Sequence, residues 1–327
     1  MTAPSESAAG SAARMSATGP AASASIAGPT ATLDLLAAAA LWGGMYVVSA
    51  GTFDRIPPLT LGLLRLVVGI AVLGLAFRGR FGFRRELMPR VVAAGAIVAL
   101  TLALQFVGTS LTGGAEGALL TTTTPAFVLL FGVALEGQRV RAWAWAGVLV
   151  ALAGVALIAS RNASFAGLGS GHEIAGLPPG LVGDGLLVGS AGTWALFSSV
   201  GRPLVGQVGA FRAILQASCV ASVLLLPFLP LELALRPLPP IDPAAIGAVL
   251  YLGVGATALA WSLWYRGYAS ATATASAGAF FAQPVVGAAL GVVLLHEVLG
   301  PAFVGGAALV ASGVAIIVRA GRRAAGS

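Results

Sequence analysis

The sequence predicts an all-α integral membrane protein of ten transmembrane helices, arranged as two inverted five-helix repeats. Three observations predict it. The composition is 58% apolar and only 9% charged, with a mean hydropathy of +0.95, whereas a soluble domain carries about 25% charged residues. From Leu33 onward, apolar runs of about 18 to 22 residues alternate with short breaks, which is the length that crosses a ~30 Å hydrocarbon core. A shift of 159 residues lays 91–158 on 250–317 without a gap.

The ten expected spans are 33–51, 58–77, 90–108, 117–135, 142–160, 181–200, 210–230, 244–264, 275–295 and 301–319. Turn chemistry marks the breaks: Pro57-Pro58 opens the second span, Gly113-Gly114 precedes the fourth, Pro178-Pro179-Gly180 the sixth, and the run from Pro237 to Pro243 the eighth. Residues 1–30, rich in Ala, Ser, Gly and Pro, have no periodic apolar face and read as a disordered cytoplasmic tail. Residues 161–180 read as an extracytoplasmic linker between a first repeat (31–160) and a second (181–319), and 320–327 as a basic cytoplasmic tail.

The net charge is +7 and every basic residue is Arg. The arginines sit in gaps between apolar runs, a topology signal rather than a nucleic-acid footprint. With a cytoplasmic N-terminus, thirteen arginines from Arg14 to Arg323 fall on the cytoplasmic side and Arg55, Arg161 and Arg236 on the other. Both termini are therefore expected in the cytoplasm, in the plasma membrane. Cys219 is the single cysteine, so an internal disulfide is excluded; with only His172 and His296 besides, no metal site and no cofactor are expected.

In the 159-residue alignment Gly108 meets Gly267, Pro125 meets Pro284, Gly132-Val133 meets Gly291-Val292, Gly147 meets Gly306, and Gly154-Val155-Ala156 meets Gly313-Val314-Ala315. Fourteen of the 68 aligned positions are identical. Five spans is an odd number, so consecutive repeats must face opposite ways, the architecture of transporters whose site lies at the repeat interface.

The chain resembles the EamA domain of the drug/metabolite transporter superfamily. The likeness rests on Leu41-Trp42-Gly43-Gly44, Leu64-Arg65, the run Gln105 to Ala159 with Ala118-Leu119-Leu120, and Tyr251-Leu252-Gly253-Val254 through Trp261 to Leu263-Trp264-Tyr265-Arg266, then Pro284 and His296-Glu297. It implies two EamA repeats over 33–319 and export of amino acids, metabolites or drugs. The sequence departs from the pattern at Gln138, where Glu297 stands in the second half, with Glu136 two residues earlier.

The candidate substrate site is built around two interruptions, Thr121-Thr122-Thr123-Thr124-Pro125 and Phe280-Phe281-Ala282-Gln283-Pro284. A proline within a membrane helix frees a carbonyl, which protein or an aqueous cavity must satisfy. The four threonines then either line a cavity or serve that carbonyl. Gln105 and its repeat mate Trp264, with Trp42, Trp261 and Tyr265, could orient or stack a substrate; an interhelical hydrogen bond for Gln105 and an interfacial belt for Trp264 and Tyr265 are the alternatives. Arg65, inside the second span, could hold an anionic group or snorkel. Glu116 is a proton-coupling candidate; it, Asp34 and Asp184 also stand where a carboxylate favours a helix N-terminus. The site is expected to have a hydroxyl wall from the first half and an aromatic and amide wall from the second. The expected function is alternating-access transport of a small polar metabolite, amino acid or drug-like compound, with proton exchange or facilitated efflux. The lipid bilayer and a small molecule are the partners, and a homodimer is compatible. A non-transporting scaffold leaves the matched prolines unexplained, and an embedded enzyme lacks a catalytic cluster.

Overall fold

The computed structural model describes residues 29–76, 82–137, 142–164, 174, 176–270, 279–280 and 282–325. Residues 1–28, half of the expected linker including His172, the arginines Arg78, Arg80, Arg139 and Arg141, Gln138, Phe281 and the Tyr265 side chain lie outside what is described.

The described residues are helical, with no strand beyond one isolated bridge between Ile174 and Leu177. In chain order the helices are α1 (Pro29–Ala50), α2 (Pro58–Ala76), α3 (Met88–Thr112), α4 (Gly114–Leu120), α5 (Thr124–Glu136), α6 (Ala142–Ser164), α7 (Pro179–Val200), α8 (Arg202–Val208), α9 (Ala210–Leu225), α10 (Leu229–Leu235), α11 (Pro243–Leu250), α12 (Ala260–Ser270), α13 (Ala282–Leu295) and α14 (Pro301–Ala325). Among the described residues, seven helical stretches are long and apolar enough to cross a membrane: Thr30–Ala50, Pro58–Ala76, Arg85–Thr112, Gly114–Leu135, Pro179–Phe197, Phe211–Leu235 and Pro243–Trp264. Three shorter apolar stretches are Ala142–Ile158, Ala282–Leu295 and Pro301–Ile317. Exposed apolar side chains such as Leu149, Val285 and Val293 provide a surface suited to lipid.

Prolines mark two of the places where these stretches change pitch. Thr121–Thr123 form a 3₁₀ turn between α4 and α5, with Pro125 in the first turn of α5, and Leu226–Phe228, containing Pro227, form another between α9 and α10. Tyr251–Leu259 is wound as a π-helix joining α11 to α12, and Thr257 Oγ1 donates to the Leu252 carbonyl five residues back at 2.8 Å. Such wide turns recur at functional positions.

Helix ends are stapled across the chain. Gly113, the residue before α4, has φ of +120° and no side chain to cap with; Glu297 supplies the cap, accepting from Gly114 N at 2.7 Å and Ala115 N at 2.9 Å. Glu232 likewise accepts from Leu59 N and Thr60 N, both at 2.7 Å, at the start of α2. Asp242 caps α11 through Ala245 N at 2.7 Å and binds Arg55 Nε at 2.9 Å. The expected capping roles of Asp34 and Asp184 are corrected. Helix α1 already begins at Pro29, so Asp34 lies one turn inside and makes a two-pronged pair with Arg266 of α12, both bonds at 2.6 Å. Helix α7 begins at Pro179, which leaves Asp184 buried in its second turn.

Helix α6 crosses α14 at close range. A Cβ at Gly147 would lie 2.6 Å from the Gly313 carbonyl oxygen, and one at Gly154 would lie 2.6 Å from that of Gly306. Small residues are what allow backbones to meet in lipid. Helix α3 packs on α7 and α9, while α1 packs on α12 and α13.

Candidate functional site

Helix α1 approaches α13 at Gly43, where a Cβ would lie 3.1 Å from the Gly287 nitrogen. That approach brings the two proline-marked breaks together. Gln283, buried in the first turn of α13, donates through Nε2 to the Ala118 carbonyl at 3.1 Å and to Thr121 Oγ1 at 3.0 Å. Pro284 follows it in the same turn, where its missing N–H costs no helical bond.

All four threonine hydroxyls donate to carbonyls of the preceding turn: Thr121 to Gly117, Thr122 to Leu119, Thr123 to Leu120 and Thr124 to Thr121, at 2.5 to 2.8 Å. Satisfying the break and lining a cavity are not exclusive here. Thr121 and Thr124 line the cavity as well, whereas Thr122, Thr123, Pro125 and Pro284 do not reach its wall.

The cavity has an empty volume of about 650 Å³, counting the part that opens to solvent, of which about 70 Å³ is reachable by the centres of water-sized molecules. Of the residues expected from sequence, its wall holds Trp42, Arg65, Gln105, Thr121, Thr124, Trp261 and Gln283. Trp264 stands behind the wall: its ring centroid is 5.2 Å from Trp42 and 4.5 Å from Phe280, so it packs the lining aromatics instead of an interface. Glu116 is buried in the first turn of α4 and is not part of the wall.

Each lining group is held. Trp42 Nε1 donates to the Ala256 carbonyl within the π-helical segment at 3.1 Å, and Gln105 Nε2 donates to the Tyr46 hydroxyl. Arg65, only 3% exposed, does not snorkel. Its Nε donates to Thr257 Oγ1 at 2.8 Å, and its Cζ lies 5.8 Å from the Phe106 ring centroid.

Sequence reading missed Met45, Tyr46, Thr101, Ser190 and Trp194, and it named Phe280 only as part of the second break. The expected division into a hydroxyl half and an aromatic half is therefore corrected. The first half also contributes Trp42 and Tyr46, and the second contributes Ser190 beside Trp194. Thr101 Oγ1 bonds Thr193 Oγ1 at 2.8 Å, joining α3 to α7 just beside that wall. Phe280 and Trp194 carried a usable signal, being aromatic residues at the head of the second break and within the sixth span.

A bundle of apolar helices enclosing a cavity lined by hydroxyl, amide, aromatic and guanidinium groups defines a multi-pass membrane protein of transporter type. The chain belongs to the EamA-like transporter family, whose model matches residues 30–160 and 181–319. Among its relatives is the uncharacterised transporter YetK of Bacillus subtilis, 27% identical over 270 residues, covering 81% of this chain and 79% of that one. An uncharacterised protein of Pseudomonas aeruginosa is 30% identical over 302 residues, covering 89% of this chain and 96% of that one. The uncharacterised inner membrane transporter YedA of Escherichia coli is 27% identical over 274 residues, covering 81% of this chain and 83% of that one. A solved crystal structure, described only as that of a protein, matches with a TM-score of 0.62 at 24% identity. It covers 90% of this chain and 97% of that chain.

Proposed function

We propose that this membrane transporter works by alternating access, exporting a small polar metabolite, amino acid or drug-like compound, and that the cavity is its substrate site. The observation that carries the reading is the wall itself, which draws on α1, α2, α3, the Thr-Pro break, α7, α12 and the Gln-Pro break. A site shared by both halves is reachable from either face as the halves rock.

In this reading the three shorter apolar stretches also cross, giving ten spans in two repeats, 31–160 and 181–319, with both termini cytoplasmic and 161–180 outside. Reciprocal packing supports it. Gly147 meets Gly313 and Gly154 meets Gly306; since Gly306 and Gly313 are the repeat mates of Gly147 and Gly154, each contact is the other with the halves exchanged, as a two-fold axis demands. Gly108 on α3 packs against the Gly183 carbonyl of α7, and its mate Gly267 packs against the Ala31 carbonyl of α1. That sets Gly183 against Ala31 and, eleven residues on, Trp194 against Trp42, both in the cavity wall.

Purified protein in proteoliposomes, offered labelled amino acids, organic acids, amines and cations, tests the proposal. Transport of at least one compound is expected, with Gln105→Leu and Thr124→Val each reducing it. Failure to move any compound, or unaltered transport in both variants, would refute the cavity as the site.

A further inference from the structure

Among the described residues, Arg65 is the one member of the cavity wall that carries a formal charge near neutral pH, and no carboxylate belongs to the wall. Among the described residues Arg65 has no ion-pair partner, and the ionisable groups acting on it are the Tyr46 and Tyr251 hydroxyls. Its Nε is bonded to Thr257, yet its buried Nη1 has no hydrogen-bond partner. A guanidinium presents a planar fork of donors that matches a carboxylate in two-pronged fashion. Here one edge of the fork is fixed by Thr257, itself anchored through its proton to the Leu252 carbonyl, while Phe106 lies near the guanidinium carbon. The group is thus oriented, buried and short of acceptors, the condition under which a polar atom favours an incoming ligand.

Aromatic rings form a large part of the remaining wall. Trp42 and Phe280 stack with centroids 5.9 Å apart and planes 22° from parallel, and Trp261 and Trp194 add two further rings. Resting on the reading of this cavity as the substrate site, we infer that the preferred substrate is an organic monoanion: a carboxylate seated on Arg65, joined to a flat apolar body that packs among the rings. A free amine of the same size carries the charge of Arg65 into the same low-dielectric space and is disfavoured. A zwitterion brings an ammonium that no carboxylate of the wall receives, and it ranks between them.

The test uses the full-length protein in detergent and phenylacetate, phenylalanine and phenethylamine as probes, which share a ring and differ in charge. Binding is read by isothermal titration and by quenching of tryptophan fluorescence. The expected order of affinity is phenylacetate, then phenylalanine, then phenethylamine. Arg65→Gln is expected to weaken phenylacetate binding about ten- to hundredfold, as loss of a charge-assisted contact does, with Arg65→Lys recovering part of it. Ala191→Trp, which fills the cavity from α7, is expected to abolish binding of all probes. Size-exclusion profiles and thermal melts verify that Arg65→Gln is folded, and with the repelling charge gone its affinity for phenethylamine is expected to rise.

Phenethylamine binding as tightly as phenylacetate overturns the inference, as does failure of wild-type protein to bind the acid. Phenylacetate binding that survives Arg65→Gln but not Ala191→Trp overturns the anion inference and leaves the cavity reading standing. Binding that survives Ala191→Trp places the ligand elsewhere and overturns both.

Discussion

The cap that Glu297 places on α4 offers the most direct test of how the two halves are held together. Helix α4 begins after Gly113, whose φ of +120° favours glycine and whose missing side chain leaves the first amides without a local acceptor. A Cβ there would also lie 2.9 Å from Glu297 Oε1, so the glycine makes room for the carboxylate that replaces its cap. Glu297→Ala removes two charge-assisted bonds, at 2.7 and 2.9 Å, and an anion at the positive end of a helix. Bonds to charged groups are worth about 1.5 to 3 kcal/mol each. Glu297 is only half-buried, and water can reach the freed amides, so the net loss is better set by measured N-cap deletions, about 1 to 2 kcal/mol. In hydrogen exchange that is roughly a five- to thirtyfold faster opening of residues 114–117. Mass spectrometry of peptides covering Gly114–Leu120 reads the change, with a fall in Tm alongside it. Glu297→Asp, one methylene shorter, is expected to behave nearly as the alanine variant, whereas Glu297→Gln, which keeps one acceptor without the charge, should fall between. Unchanged exchange at 114–117 in the alanine variant would refute the claim that the carboxylate holds this end of α4.

Three further outcomes are expected. Gln283→Leu removes the two bonds that join the breaks, worth roughly 0.6 kcal/mol each in membrane bundles; Tm should fall slightly and transport substantially, measured on the same proteoliposomes. Gly154→Leu forces a Cβ to 2.6 Å from a backbone oxygen, about 1 Å inside ordinary contact, and is expected to cost 1 to 3 kcal/mol or more by overpacking, whereas Gly185→Ala, with open space around it, should melt like wild type. The Ala245 amide, and after it the Arg55 guanidinium, hold the Asp242 carboxyl below its ordinary value of 3.8. A lowered folded pKa means that this stabilisation is complete above 3.8 and is lost as pH falls below it. Wild type should therefore lose more stability than Asp242→Ala when melts at pH 6 are compared with melts near pH 3.

Much of the fold was legible because lipid leaves few solutions. Apolar runs must be helices, and prolines and glycines must mark their ends. The site was legible only where a residue violated the apolar pattern, as Arg65, Gln105, Gln283 and the threonines do. Tyr46, Ser190 and Trp194 escaped notice because a tyrosine, serine or tryptophan is unexceptional in a membrane helix. Their placement in the wall follows from helix rotation, which packing glycines such as Gly43, Gly108 and Gly183 set. Asp34 and Asp184 were misread for a related reason: a carboxylate near a predicted boundary looks like a cap, and the helices begin four and two residues earlier than expected, at Pro29 and Pro179.

The threonine run shows why a sequence can pose a choice that the structure dissolves. A hydroxyl can donate to a backbone carbonyl and still accept from another group, since it has one proton and two lone pairs. Thr121 does both, donating to Gly117 O and accepting from Gln283 Nε2. The back-bonded threonines fix the 3₁₀ turn, and the turn presents Thr121 and Thr124 to the cavity while directing Thr122 and Thr123 away from it. The same economy holds at Thr257, which closes a π-helical turn with its proton and positions Arg65 with its lone pair. In both halves a helix irregularity is thus satisfied from within, and the group that satisfies it sets the polar surface of the cavity. Thr257→Val should therefore disturb the orientation of Arg65 more than the fold, lowering affinity for carboxylates about tenfold while leaving Tm within a few degrees of wild type. A collapse of Tm with no selective loss of affinity would show that Thr257 serves the helix alone.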